Sequence, residues 1–569
     1  MDTYKRPFLK LLIPAVLFLF FSCNSGSKKS ADQQIVADPD RMDEVVAGNI
    51  KDALAQAGET GKKIDDSISL KLLNVVSRFY DDTDHQPVWS SKEKWVPLAD
   101  SLYRFIENAE EYGLFPADYH FTALRSVKQK LDTDSLQRMD AALWSRADIM
   151  FTDGFMRLIR DLKQGRLQPD SLSLNKDSAI AVNFFVNSLK ELSEKKQFSS
   201  LLRSVQPTHK GYWELQKGIR SFLDSMDRKP YTYLSYPYKK GDVKDSSYFI
   251  KMLQKRLNES GCIDFTDRLP DSAQLGNAIK KYQGRKGLKA DGKISTSLVR
   301  VLNTNDIERF NRIAITMDKY KQMPSKMPEQ YIWVNIPAYY LWVINHDTVA
   351  LESKTIIGKP ETRTPLLTSE ISDMITYPTW TVPTSIIAKQ YLPKLKNNPN
   401  YLSRLGLRLV NAKGETISGS DVNWSRYSKG IPYKVVQGSG DNNSLGVMKF
   451  NFNNPYAVYL HDTNQRYLFK NAQRALSHGC VRVQEWEQLA FYIARNDSLN
   501  SRTPDSLKYN TDSIRNWIAA KERHRIDVKS HIPLFIRYFT CEGKDGKVKF
   551  HDDIYSEDKI LRDKYFANK

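Results

Sequence analysis

The chain has 569 residues, more than one hydrophobic core organises, so a single compact domain is excluded. A net charge of +19 and a pI near 9.4 favour anionic partners, but the basic residues are scattered rather than blocked. Four cysteines in a chain of this length exclude a small disulfide-stapled scaffold.

At the N-terminus, Lys5, Arg6 and Lys10 precede an apolar run from Leu11 to Phe21, then Ser22 and Cys23. A basic region, a short apolar stretch and a small residue at the cut make residues 1–22 a secretory signal. The run is too short to cross a bilayer core of roughly 30 Å as a helix. With cysteine directly after Ser22, the segment resembles a bacterial lipoprotein signal, although Phe20 and Phe21 depart from its usual pattern. That resemblance implies Cys23 as the lipidated first residue of the mature chain and residues 23–40 as a disordered polar tether. It also implies a membrane partner through the lipid anchor. The expected address is the cell envelope, as a periplasm-facing lipoprotein of the inner or outer membrane. The alternative is an ordinary cleaved signal with an incidental cysteine. In either case the protein leaves the cytoplasm, so no nucleic-acid partner is expected. Cys262, Cys480 and Cys541 remain, and a Cys262–Cys541 bridge is possible only by arithmetic.

Residues 41–240 carry a helical pattern. Its clearest stripe runs through Leu143, Ala147, Met150, Phe151, Gly154, Phe155, Leu158 and Leu162, at spacings of three and four. Gly165 is its stop signal, with Pro169 beyond. The stripe reads as core, and this region has no His, Cys, Asp or Glu cluster at metal-ligand spacing. Residues 245–303 form a second helical unit. Leu253-Gln254, Ala278 to Gln283, Gly287 to Gly292 and Leu302-Asn303 there resemble the peptidoglycan-binding module of cell-wall enzymes. The resemblance implies peptidoglycan glycan as a partner; a helical spacer without a ligand is the plain alternative.

From residue 325 to 556 the pattern turns to strands. The β-branched and aromatic runs 331–336, 340–344 and 348–357 are followed by 433–438, 447–452, 456–460, 533–540 and 547–551. Residues 390–430, polar and Asn-rich, interrupt this pattern, and inserts of such length inside a domain are usually binding elements or lids. They are read as a flap over the active site, with a surface decoration as the alternative. The whole is an α+β multidomain chain: a helical N-terminal scaffold, a small helical module and a mostly β domain bearing the flap.

The chemistry concentrates at Ser477-His478-Gly479-Cys480-Val481-Arg482-Val483, with Tyr459-Leu460-His461-Asp462-Thr463 upstream. A free thiol has a pKa of about 8.5 and needs an imidazole to ionise it at neutral pH. Gly479 permits a bend beside the sulfur, exposing amides to an oxyanion. His461 and His478 both fit the role of base, and spacing alone does not choose between them. A zinc hydrolase with His461, His478 and Cys480 as ligands is a competing reading.

His461, fifteen intervening residues, then Ser477-His478-Gly479-Cys480 resembles the signature of the L,D-transpeptidase catalytic domain, a mostly β fold. Asn443 to Phe450, Asn454-Pro455-Tyr456, Ile532 to Thr540, Asp545 to Val548 and Asp552 to Tyr555 extend the likeness toward the large, multi-domain branch. Tyr112 to Tyr119, Gly165-Arg166 and Tyr212 to Leu215 fit that branch's scaffold. The resemblance implies Cys480 as nucleophile and His461 as base, with the backbone around Asp462 orienting the imidazole. Tyr459, Gly479 and the Cys480 amide are implied oxyanion donors, Ser477 and His478 local substrate-side residues, and Arg482 a ligand for a stem-peptide carboxylate. The implied reaction is acyl transfer on peptidoglycan stem peptides. Cys480 expels D-alanine from a tetrapeptide, leaving a thioester, and a neighbouring stem amine completes a 3→3 cross-link. No cofactor or metal is called for, and carbapenem β-lactams are implied covalent inhibitors. L,D-carboxypeptidase or amino-acid exchange at the same site, and a non-catalytic wall-binding lipoprotein, are the alternatives.

Overall fold

The computed structural model describes residues 33–168, 180–236, 243–286, 288–501 and 509–566. The signal segment 1–22, Cys23, most of the tether, Pro169 and Gly287 lie outside these. Contacts divide the chain into two units, Met1–Val96 with Ala123–Asp153, and Pro97–Thr122 with Gly154–Lys569. The helical stretch read as one segment is thus shared between them.

In the first unit, helices Met42–Glu59 and Leu73–Asp81 and a short hairpin, β1 (Ser90–Ser91) with β2 (Lys94–Trp95), accompany the start of the long helix Ala141–Lys163. Ala147, Met150 and Phe151 are buried as the stripe requires, while Leu143 is only half-buried. Asp148 on the same helix accepts bonds from the Tyr80 hydroxyl (2.6 Å) and the Val88 and Trp89 amides. These satisfy a buried carboxylate that desolvation lifts to about 6.

In the second unit, Phe155, Leu158 and Leu162 continue the stripe, which stops at Gly165 in a left-handed conformation (φ +77°). Helices Val243–Glu259, Ser272–Arg285 and Thr296–Asn303 enclose Leu253, Leu257, Ile279, Tyr282, Leu298 and Leu302 as their own core. Gln283 ties this module's turn by donating to Asp291 and accepting from the Gly292 amide, both at 2.9 Å. Cys262 is buried here and Cys541 in a different core, and both thiols are free.

The strand-rich region builds a closed sheet. β3 (Gln330–Asn335), β4 (Tyr340–Asn345) and β5 (Thr348–Gly358) form an antiparallel meander. β6 (Leu367–Thr376) pairs with β16 (Pro533–Arg537) on one side and β11 (Met448–Phe452) on the other. β11 continues to β12 (Leu460–His461), β12 runs parallel to β14 (Val481–Val483), and β14 returns to β5. β16 lies parallel to β3, so the ring closes. β13 (Ala475–Ser477) adds to β5, and β15 (Arg525–Asp527) extends the β16 side of β6. Ile332, Val343, Met374, Phe450, Leu460, Val481 and Ile536 fill the interior, with helix Trp486–Asn500 packed against them.

Two expected strands are shorter than the pattern suggested. The run 456–460 is strand only from Leu460. Asn454 accepts from the Tyr456 and Val458 amides (3.0 and 3.1 Å), and this turn puts Ala457 at φ +53°. The run 533–540 ends at Arg537, because the Asn335 side chain takes both the Phe539 amide and carbonyl at 3.0 Å. Beyond it, β17 (Cys541–Lys544) and β18 (Lys547–Phe550) form a separate hairpin. That hairpin shares a core with Tyr212, Leu215 and Ile219 of helix Lys210–Asp224, so the Tyr212 to Leu215 motif is a packing surface.

The insert is larger than residues 390–430 and is not a bare loop. β7 (Trp380–Thr381), β8 (Leu407–Val410), β9 (Thr416–Ile417) and β10 (Lys434–Gln437) form a four-stranded sheet of order β7-β10-β8-β9. Ile387, Leu395, Leu409, Trp424 and Val435 give it a core of its own.

Candidate active site

Alternation along the ring assembles the site. Leu460, Val481 and Val483 point into the interior, as do Met448 and Phe450. The intervening residues therefore share the other face. His461 pairs across the ladder with Lys449 on β11 and with Arg482 on β14. Tyr459 and Cys480, each two residues further back, continue the same alternation. The Val481 amide donates to the Tyr459 carbonyl (3.1 Å), setting the cysteine beside the tyrosine.

The bend carrying Cys480 is built by hydroxyls. Ser477 Oγ donates to the Cys480 carbonyl (2.6 Å) and accepts from the Gly479 amide (3.1 Å). Thr364 Oγ1 donates to the Gly479 carbonyl at 2.8 Å, and the Ser477 carbonyl accepts from Thr362 Oγ1 and the Lys359 amide. Gly479 sits at φ +123°, where a side chain is strained although a Cβ would meet nothing closer than 3.5 Å. Its amide is already engaged by Ser477 Oγ.

Around the sulfur, the side chain and main chain of Tyr459 both favour the thiolate. The Trp380 side chain opposes the burial that raises the Tyr459 phenol, and Lys449 Nζ lies 4.1 Å from the centre of the Tyr459 ring. Burial pushes the Cys480 thiol up, opposed by Tyr459 and by the charges of Lys449 and Arg482. His461 is 4% exposed and stands edge-on to Tyr459, ring centres 5.6 Å apart. Burial, then the Arg482 charge, pulls its imidazole down to about 3, so the ring is neutral at ordinary pH. Its Nδ1 is buried and has no hydrogen-bond partner of normal geometry among the described residues.

The Asp462 side chain does not serve the imidazole. Its carboxylate accepts from the Val447 amide (2.9 Å) and from both arms of Arg466 (3.0 and 2.5 Å). Gly446 packs against it at φ +66°, where a Cβ would fall 2.3 Å from Asp462 Oδ2. Arg482 donates to Thr463 Oγ1 (3.2 Å) and Gln465 Oε1 (3.1 Å). His478 is exposed and bonded to Gln390 of the insert. Among the described residues no three His, Cys, Asp or Glu side chains converge as a metal site would need. Lys449, Trp380, Thr364 and Gly446 were not singled out as site residues. For Lys449 a signal existed, its place between Met448 and Phe450 on a strand.

A closed sheet presenting a cysteine, a histidine and two cations on one face defines a thiol–imidazole site. Residues 329–500 match the family model of the L,D-transpeptidase catalytic domain, and residues 74–219 that of a Scaffold domain. The chain therefore carries an L,D-transpeptidase catalytic domain. A curated relative, a putative L,D-transpeptidase of Haemophilus influenzae, is 33% identical over 231 residues. The match covers 40% of this chain and 45% of the relative, so the chain spans less than half of that protein's length. Two solved structures are also similar. The L,D-transpeptidase from Mycobacterium smegmatis is 12% identical over 37% of this chain and 58% of its own, with a TM-score of 0.17. An Enterococcus faecium L,D-transpeptidase, a cysteine-to-serine mutant, is 13% identical over 38% and 52%, with a TM-score of 0.14. At those scores neither likeness bears on the fold.

Proposed function

We propose that this protein is an L,D-transpeptidase of the bacterial cell wall. The carrying observation is the common face of Cys480, Tyr459, His461, Lys449 and Arg482 inside the matched domain. Cys480 sulfur attacks the carbonyl preceding the terminal D-alanine of a tetrapeptide stem while neutral His461 takes the thiol proton. The Cys480 N–H receives the oxyanion. The C–N bond breaks, the proton passes from His461 to the leaving D-alanine amine, and a thioester remains. A neighbouring stem's amine then attacks the thioester, closing a 3→3 cross-link and returning the thiol. His461 suits the base better than His478, since it is buried beside Tyr459 while His478 is exposed and bonded to Gln390. Arg482 and Lys449 supply positive charge for the thiolate and for a stem carboxylate.

The insert acts as a flap, a role supported by the contact of Gln390 with His478. Cys23 carries a lipid that tethers the enzyme to a membrane facing the periplasm, and the 245–303 module holds peptidoglycan. The test is intact-mass analysis with a carbapenem, wild type against Cys480→Ser, followed by cross-linking of disaccharide-tetrapeptides. A cysteine-dependent adduct with D-alanine release and dimer formation is expected. Dimer formed equally well by Cys480→Ser refutes the mechanism.

A further inference from the structure

Away from the Cys480 face, the second unit holds a cleft of about 1010 Å³ between helix Pro97–Glu107, the turn Asn108–Tyr112 and helices Phe198–Val205 and Lys210–Asp224. Its size stands at the upper end of ligand pockets, suited to an extended oligomer rather than one small molecule. Four aromatic side chains, Phe105, Tyr112, Phe198 and Trp213, line it, each only half-buried. Phe105 is in contact with both Tyr112 (centroids 4.6 Å) and Phe198 (5.7 Å, edge-on), so three rings form one continuous apolar platform. Trp213 is fixed by its indole bond to the Pro207 carbonyl (2.9 Å), with the Arg203 guanidinium 5.2 Å from its ring. The charge is lopsided. Arg104, Lys196, Arg203 and Arg220 line the cleft against one carboxylate, Glu111, and none of the four is in an ion pair among the described residues.

A solvated face has no need of partly exposed rings, and a folding core does not surround itself with unpaired cations. Partly exposed rings, with cations and amides around them, match a polymer of pyranose units bearing carboxylates. The axial C–H groups of sugars pack on aromatic faces, and guanidinium forks take carboxylates. We infer that this cleft binds peptidoglycan glycan strands from which the stem peptides have been removed, through their amino-sugar rings and freed lactyl carboxylates, a hold on the polymer separate from Cys480 and from the 245–303 module. The inference rests on the cell-wall reading of the catalytic domain and extends it to a site outside that domain.

The test uses the full chain and glycan strands stripped of stem peptides, with binding measured by co-sedimentation or fluorescence anisotropy. Arg104 and Arg220 are both exposed, so Arg104→Glu with Arg220→Glu is compatible with folding, checked by an unchanged melting temperature. The double variant is expected to bind these strands about ten-fold more weakly, because two charge-assisted contacts become repulsive. Its carbapenem acylation rate should equal wild type. Trp213→Phe, which keeps a ring but loses the indole donor, should weaken binding less than the charge reversal. Unchanged strand binding in the double variant overturns the inference. So does a cleft that ignores the strands and instead retains an envelope protein in a charge-dependent way. Failure of wild type to form the carbapenem adduct strikes the catalytic reading, whereas a normal adduct with unchanged strand binding strikes only the cleft.

Discussion

Gly446→Ala tests whether the Gly446–Asp462 contact builds the site. The residue lies at φ +66°, where alanine costs about 1–2 kcal/mol. The added Cβ would sit 2.3 Å from Asp462 Oδ2 and 2.6 Å from the Thr463 amide nitrogen, so something must move. If the carboxylate yields, it loses the Val447 amide, a bond to a buried charge worth about 2 kcal/mol. The Arg466 fork adds at most about 1 kcal/mol, since that guanidinium is more than half exposed and screened. The sum is roughly 3–5 kcal/mol, a melting-temperature loss on the order of 10 °C for a domain of this size. Asp462 directly follows His461, so a shift of about 1 Å should slow acylation by about 10²-fold. Scanning fluorimetry and time-resolved intact mass with a carbapenem read the two effects. Adding Asp462→Ala relieves the Oδ2 clash, so the double variant should lose at least about 1 kcal/mol less than the two singles added together. A Gly446→Ala protein with wild-type melting and acylation refutes the reasoning.

Two further outcomes follow from the charges. His461 titrates near 3 in the folded protein against about 6.5 when unfolded, so between those values the unfolded chain binds a proton the folded one rejects. Stability should therefore fall as pH drops through 6.5 toward 3, by roughly 2–3 kcal/mol at about pH 4.5. Urea unfolding at both pH values should show a weaker acid loss in His461→Gln, and equal losses in the two proteins refute it. Lys449 favours the Cys480 thiolate, so Lys449→Met should raise the thiol's apparent pKa and slow carbapenem acylation at neutral pH. An unmoved inflection in the acylation pH profile rules out that role.

The sequence was most readable where pattern and chemistry coincide. The meander β3–β5 is dense in β-branched and aromatic residues, and its ends fall within a residue of expectation. Cys480 and His461 were visible as chemistry, and period-2 alternation explains why two residues so far apart in the chain share a face. β6 was not legible: Leu367-Thr-Ser-Glu-Ile-Ser-Asp-Met-Ile-Thr376 has too few apolar residues to signal a strand, yet it joins both ends of the ring. Its polar side chains are consumed locally, as in the Asn451 bond to Asp373 (2.7 Å), which no linear pattern announces. The insert was misjudged in extent because its core draws on residues scattered from Val382 to Val435, each unremarkable in its own window. The neighbours of the bend were hidden for the same reason. Thr364 reaches Gly479 across 115 positions, and Tyr555 reaches the Gly358 carbonyl across 197.

The electrostatics of the site bear on how such a thiol is activated. A preformed thiolate–imidazolium pair needs a lowered thiol and a raised imidazole. Here burial moves both groups the opposite way, raising Cys480 and holding His461 neutral. The cations nearest by register, Lys449 and Arg482, favour the thiolate but also oppose protonation of the ring. These shifts favour a neutral resting pair, and in the proposed mechanism the proton would move to His461 only as the sulfur commits to a carbonyl and its charge passes to the oxyanion. A substrate carboxylate near Arg482 would offset the cation that depresses His461, lifting the imidazole when a stem is bound. Activation coupled to substrate in this way would leave the idle protein with an un-ionised thiol, poorly reactive toward oxidants.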